Sequence, residues 1–114
     1  MSQIAELKER MEGLEIQMKW MPIAIMTKSR VFRLKHPILV EVEKHKDTFV
    51  AEYKPLNIIA YGQNMCEFTR EFGNEFSLLW DAIACAEDKY LTDGAKELKR
   101  RMIDIVEAVV ENIE

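Results

Sequence analysis

Hydrophobic and polar positions follow two different periods along this chain, and each change of period marks a new element. Over residues 2–20 and on to Met21, Ile4, Leu7, Met11, Leu14, Met18 and Met21 recur at steps of 3 and 4. That spacing predicts an amphipathic helix with a coiled-coil seam, ended by Pro22. So short a seam is not stable alone in water. It needs cover, either from its own domain or from a second copy of the chain, in which parallel pairing would set Arg10 against Glu15. Residues 22–37 are apolar and then basic. Ile23, Ile25 and residues 31–34 fit short extended segments, and Pro37 interrupts any longer strand.

From residue 38 the period falls to two. Ile38, Val40 and Val42 lie on one face of a strand, with Leu39, Glu41 and Glu43 on the other. A polar turn follows at Lys44, His45, Lys46 and Asp47. Phe49, Ala51 and Tyr53 then oppose Val50 and Glu52. After Lys54 and Pro55, a third strand is apolar on both faces through Ile58, Ile59 and Ala60, which suits a strand covered on both sides. Residues 38–61 therefore read as a three-stranded antiparallel meander. Past Gly62 the helical period returns. Asn64 caps a helix and Glu67 completes a capping-box pattern. Met65, Phe68, Phe72, Phe76, Leu79, Ile83 and Ala86 form its stripe. This helix is predicted to run to about Tyr90, weakened near its middle by Gly73, which costs about 1 kcal/mol relative to alanine. Thr92, Asp93 and Gly94 break the chain, and a last helix is expected with Leu98, Met102, Ile105 and Val109 on its apolar side.

The fold class expected is α+β in a single domain, residues 1–114: an N-terminal helix, a three-stranded antiparallel meander, a long amphipathic helix packed on the sheet, and a C-terminal helix. Residues 1–22 are the leading helix or an oligomerisation arm, and residues 94–113 the terminal helix. Because both strand faces carry apolar residues, the second face is expected to be buried by the leading or last helix or by another copy of the chain. A homodimer is the expected oligomer.

Apolar residues make up 48% of the chain and charged residues 32%, a balance that folds. The net charge of -4 argues against a dedicated nucleic-acid binder. Cys66 and Cys85 are read into one helix, 19 residues or roughly 28 Å apart, too far to bond to each other. A reduced, cytoplasmic setting follows. The charged, periodic start is unlike a signal peptide, and no apolar run is long enough to span a bilayer, so no membrane role is expected.

Candidate chemistry is sparse. A lone glycine between strand and helix is a poor phosphate cradle, which would want several glycines and a Lys-Ser/Thr pair. Gly62 is expected to supply a positive φ. His36 and His45 read as surface histidines, and with two distant cysteines they make no zinc pattern. Cys66 lies in a first helical turn, where the dipole favours a thiolate, but no histidine is placed beside it. It reads as a half-buried inert thiol and Cys85 as structural. Glu41, Glu43 and Glu52 share the outward face of two strands. With lysines nearby and no aspartate in the strands, they read as a solvated face in preference to a metal-dependent nuclease site. Lys28, Arg30, Arg33 and Lys35, with Lys44 and Lys46, form one basic group; Lys96, Lys99 and Arg100 form another. Contact with a nucleic-acid backbone is open to the first group. The long helix carries Glu67, Glu71, Glu75, Asp81, Glu87 and Asp88 against two basic residues, which suits docking to a basic partner or between protomers. No residue is assigned to catalysis, to a cofactor or to a metal.

Asp47, the run Phe49, Val50, Ala51 and Glu52, then Pro55 and Leu56, Gly62 at the junction, and Asn64 and Glu67 at the helix start together resemble the HicB-like antitoxin family over roughly residues 38–91. Gly62 matches the junction glycine, Asn64 stands where a Thr or Ser caps the helix, and Glu67 matches an acidic first-turn position. The chain departs from that pattern at Asn57, where many members have glycine, at Gln63 in place of an acidic residue, and at Phe68 in place of a small alanine. No helix-turn-helix or ribbon-helix-helix segment is seen. The resemblance implies a non-enzymatic protein-interaction module, an antitoxin that blocks a small basic RNase toxin. Glu67, Glu71 and Glu75, or Arg30, Arg33 and Lys35, are the candidate partner-binding residues. The alternative is a small nucleic-acid-binding or regulatory protein using Arg30, Arg33, Lys35, Lys44 and Lys46.

Overall fold

In the computed structural model, which describes residues 16–111, the first described element is a strand where the spacing predicts a helix. β1 (Ile16–Trp20) pairs antiparallel with residues 40–44. Its residues alternate: Gln17 and Lys19 face out, while Met18 and Trp20 pack against the core. The leading helix is thereby overturned for residues 16–20; Ile4, Leu7, Met11 and Leu14 lie outside the described residues. β2 (Ala24–Met26) and β3 (Arg30–Leu34) form a hairpin, as the short extended segments predict. Thr27 closes its turn: the Thr27 Oγ1 accepts from the backbone N–H of Ser29 at 3.3 Å and of Arg30 at 3.1 Å.

β4 (Val40–His45), β5 (Thr48–Tyr53) and β6 (Ile58–Gly62) are the meander that the alternation predicts. Lys46 turns the first corner at φ 54° and Asn57 the second at φ 54°, after a 3-10 turn over Lys54–Leu56. Asparagine tolerates this left-handed backbone better than most residues, which is why Asn57 serves where a glycine would otherwise be expected. β1 joins beside β4, so the sheet has four strands in the order β1-β4-β5-β6.

α1 (Met65–Leu79) starts as its sequence predicts. The Asn64 side chain accepts from the Glu67 N–H at 2.8 Å, and the Glu67 carboxylate reaches back to the N–H of Gln63 at 3.3 Å. Phe68, Phe72 and Phe76 are fully buried. They meet Trp20 of β1, Tyr53 of β5 and Phe32 of β3 edge to face, at centroid distances of 5.0–6.1 Å. One helix therefore ties both sheets together. It does not reach Tyr90: a π-helical turn over Trp80–Ala84 ends it, and Cys85 lies past that end. α2 (Asp93–Ile105) is capped by Thr92 and buries Met102 and Ile105. Lys99 anchors it, donating to the Ala86 carbonyl at 2.6 Å and to Asp88 at 2.8 Å. That hydrogen bond, with the charge of Lys99, holds the Asp88 carboxyl below the usual carboxylate range.

α2 stops at Ile105, and the terminal helix expected over 94–113 is overturned from there. Val106, Val109 and Val110 are β-branched and favour extended backbone. They lie in β7 (Val106–Glu111), which pairs antiparallel with β3. The second sheet has the order β2-β3-β7. The class is α+β, but the expected arrangement of one three-stranded sheet between helices is replaced by two antiparallel sheets, of four and three strands, with two α-helices among the described residues.

Two glycines are explained by closeness and not by φ. Gly62 does not take the left-handed backbone expected of it; a side chain there would strike the backbone of Phe68. A Cβ on Gly73 would lie 2.4 Å from the Met26 carbonyl oxygen of β2. Gly73→Ala should therefore destabilise the protein. The helix would gain about 1 kcal/mol in propensity, but crowding against a backbone carbonyl costs roughly 1–3 kcal/mol. Urea unfolding checks the sign: a stabilised variant would mean that β2 does not press on α1.

Candidate interaction surface

The expected site residues do not form one site. Arg30 faces inward with Phe32. Its guanidinium bonds Asp81 at 2.7 Å, Glu111 at 3.2 Å and the Ser77 hydroxyl at 3.3 Å. The Asp81 hydrogen bond and the two carboxylates hold its pKa above the ordinary arginine value, against the opposing effect of burial. Arg30 is thus a clip between β3, β7 and the end of α1. Arg33, one pleat further along, is exposed on the opposite face. Lys35 is exposed past the end of β3, where its N–H donates to Ile105 at 2.9 Å. Lys44 lies over the Phe49 ring at 5.7 Å, in the other sheet. The basic residues of 28–46 are therefore spread over two sheets and two faces.

On α1, Glu67, Glu71 and Glu75 recur every fourth residue along one flank of the buried stripe. Glu67 is engaged in the cap. Glu71 and Glu75 are half-buried, and among the described residues neither makes an ion pair. Glu41 and Glu43 line a depression of about 420 Å³ with Gln17, Met18, Lys19 and Val42. Lys19 stands directly opposite Glu41, and Glu43 lies 3.2 Å from His45 Nε2. Among the described residues no group of three or more acids, histidines or cysteines could hold a metal ion. His45 is 3% exposed, not the surface histidine expected. Cys66 and Cys85 are both free and exposed, where a half-buried Cys66 was expected.

The feature that stands out lies on the second sheet. Its inner face, Ile25 opposite Phe32 opposite Val109, packs into the core. On its outer face the register sets Met26 beside Val31 beside Val110, and Ala24 beside Arg33 beside Ala108. Met26 is 64% exposed and Val110 48%. An antiparallel sheet with one face in water ordinarily turns polar residues outward; here five of the six outward positions are apolar. Ile23, 67% exposed, precedes the same hairpin.

No known family model, curated protein or solved structure matches this chain. The HicB-like resemblance rests on the residues quoted above. No helix among the described residues is long and apolar enough to cross a membrane.

Sequence reasoning missed this face because two of its six outward positions come from β7, which has a helical spacing through Ile105 and Val109. The available signal was the β-branched run of Val106, Val109 and Val110, with Ala108 and Val110 alternating on one side.

Proposed function

We propose that this chain is a non-enzymatic protein-interaction module, HicB-like in kind, that docks a partner protein on the outer face of its three-stranded sheet. The observation that carries the reading is the row Met26, Val31 and Val110, apolar and facing out on a sheet whose other face is already filled by Phe32 and α1. Exposed apolar surface of this kind is costly to leave in water and characteristically marks an interaction site. The resemblance puts forward a small basic RNase toxin as the partner, with Glu71 and Glu75 as a second contact row. Arg30 is withdrawn as a contact, since its charge is engaged within the fold.

Val31→Asp tests the reading. The side chain faces out, so far-UV circular dichroism should match wild type and the melting temperature should fall by only a few degrees. The partner recovered with the natively expressed protein should be lost from the variant. A variant that retains the partner in full would remove this face from the binding surface.

A further inference from the structure

Among the described residues, the six paired positions of this outer face carry one formal charge, and its surroundings state what must meet it. Arg33 lies on β3, the central strand of the sheet, flanked across the strands by Ala24 and Ala108. Two methyl side chains leave the guanidinium open on both flanks. Among the described residues Arg33 makes no ion pair, in contrast to Arg30, which has two. Beside it runs the apolar row Met26, Val31 and Val110. An arginine fork in an apolar surround is suited to a carboxylate, which it binds through two parallel hydrogen bonds.

We infer that this face takes a protein segment of defined chemistry: an apolar patch bearing one aspartate or glutamate, whose carboxylate pairs with Arg33. The inference rests on the interaction-module reading and adds the partner's contact chemistry. A second copy of this chain fits less well. Two-fold stacking of this small face on itself would bring Arg33 close to its own symmetry mate, and like charges so placed repel. The acids β7 can offer are Glu107 and Glu111, and Glu111 is already bonded to Arg30. The acid is required of the contact patch, whatever the partner's net charge.

Random peptides displayed on phage provide the probe. Selection on the wild-type protein should enrich apolar peptides with a single Asp or Glu. A synthesised member should bind Arg33→Ala at least about tenfold more weakly, since one half of a desolvated charge pair is removed. Arg33→Lys should fall between, having lost the fork. Selection on Arg33→Glu should replace the acid by Lys or Arg. Melting curves of the variants should match wild type, because Arg33 is exposed. The inference is overturned if selection yields no binder, if the enriched peptides lack acids, or if Arg33→Ala binds as well as wild type. It is also overturned if light scattering shows a dimer that Val31→Asp dissociates, since the occupant is then a second copy. If amide shifts place the peptides on this face but they lack acids, this inference fails while the interaction-module reading stands; peptides placed on α1 would overturn both.

Discussion

Gly62→Ala should be among the most damaging single substitutions in this protein, with a loss of about 3 kcal/mol or more. An added Cβ would lie 2.3 Å from the Phe68 nitrogen, 2.7 Å from its Cα and 2.9 Å from the Glu67 carbonyl carbon. All three are backbone atoms, so no rotamer change relieves the contact. Nor is the first turn of α1 free to retreat. Asn64 holds the Glu67 N–H, and Phe68 is fully buried against Trp20, 5.9 Å between ring centroids. The end of β6 or the start of α1 must move, and either movement opens the core. Gly94→Ala is the control. Nothing lies within 4 Å of its added methyl, and it stands in the first turn of α2. It should raise stability by up to about 1 kcal/mol. Urea unfolding of the two variants should give opposite signs; a neutral Gly62→Ala would refute the close approach of α1 to β6.

Phe32→Ala should cost about 3–5 kcal/mol, the range for an aromatic side chain removed from a filled core. Phe32 is fully buried in the central strand of the second sheet. Its ring stands edge to face with Phe76 at 5.0 Å and with Trp80 at 5.7 Å. These contacts join β3 to α1, and aromatic pairs of this geometry add to simple burial. Domains of this size have about 5–15 kcal/mol in total, so the variant will be close to the limit of folding. A weakened near-ultraviolet dichroism signal from Trp80 should accompany the lower urea midpoint. The neighbouring Val31→Asp, pointing the other way, should cost far less, about 1 kcal/mol. Equal losses at the two positions would mean that the inner and outer faces of this sheet are wrongly assigned.

The contrast between those neighbours also shows why the candidate surface was hard to read. Val31 and Arg33 are visible in the sequence as an alternation with Phe32 and Leu34. What they face depends on β7, whose Val110 and Ala108 arrive from more than seventy residues away. Arg30 and Arg33 look alike in the sequence, two members of one basic group. The pleat sends one into a carboxylate pair and the other into the open, and the pairing acids, Asp81 and Glu111, come from beyond the end of α1 and from β7.

By itself the sequence determined what local interactions can decide. The meander over residues 38–61 follows from period-two alternation between polar turns, and the start of α1 from an asparagine and a glutamate three positions apart. Both are set by groups within a few residues of each other. Tertiary structure decided Ile16–Trp20 and Val106–Glu111. Met18 fits a helical seam with Leu14 and Met21, and equally an alternation with Ile16 and Trp20. Val109 continues a helix stripe from Ile105, and equally a strand with β-branched neighbours. Where the side-chain pattern allows both periods, the backbone decides. These two segments are extended because each lies along the otherwise open edge of another strand, β4 and β3, whose hydrogen-bonding groups they satisfy.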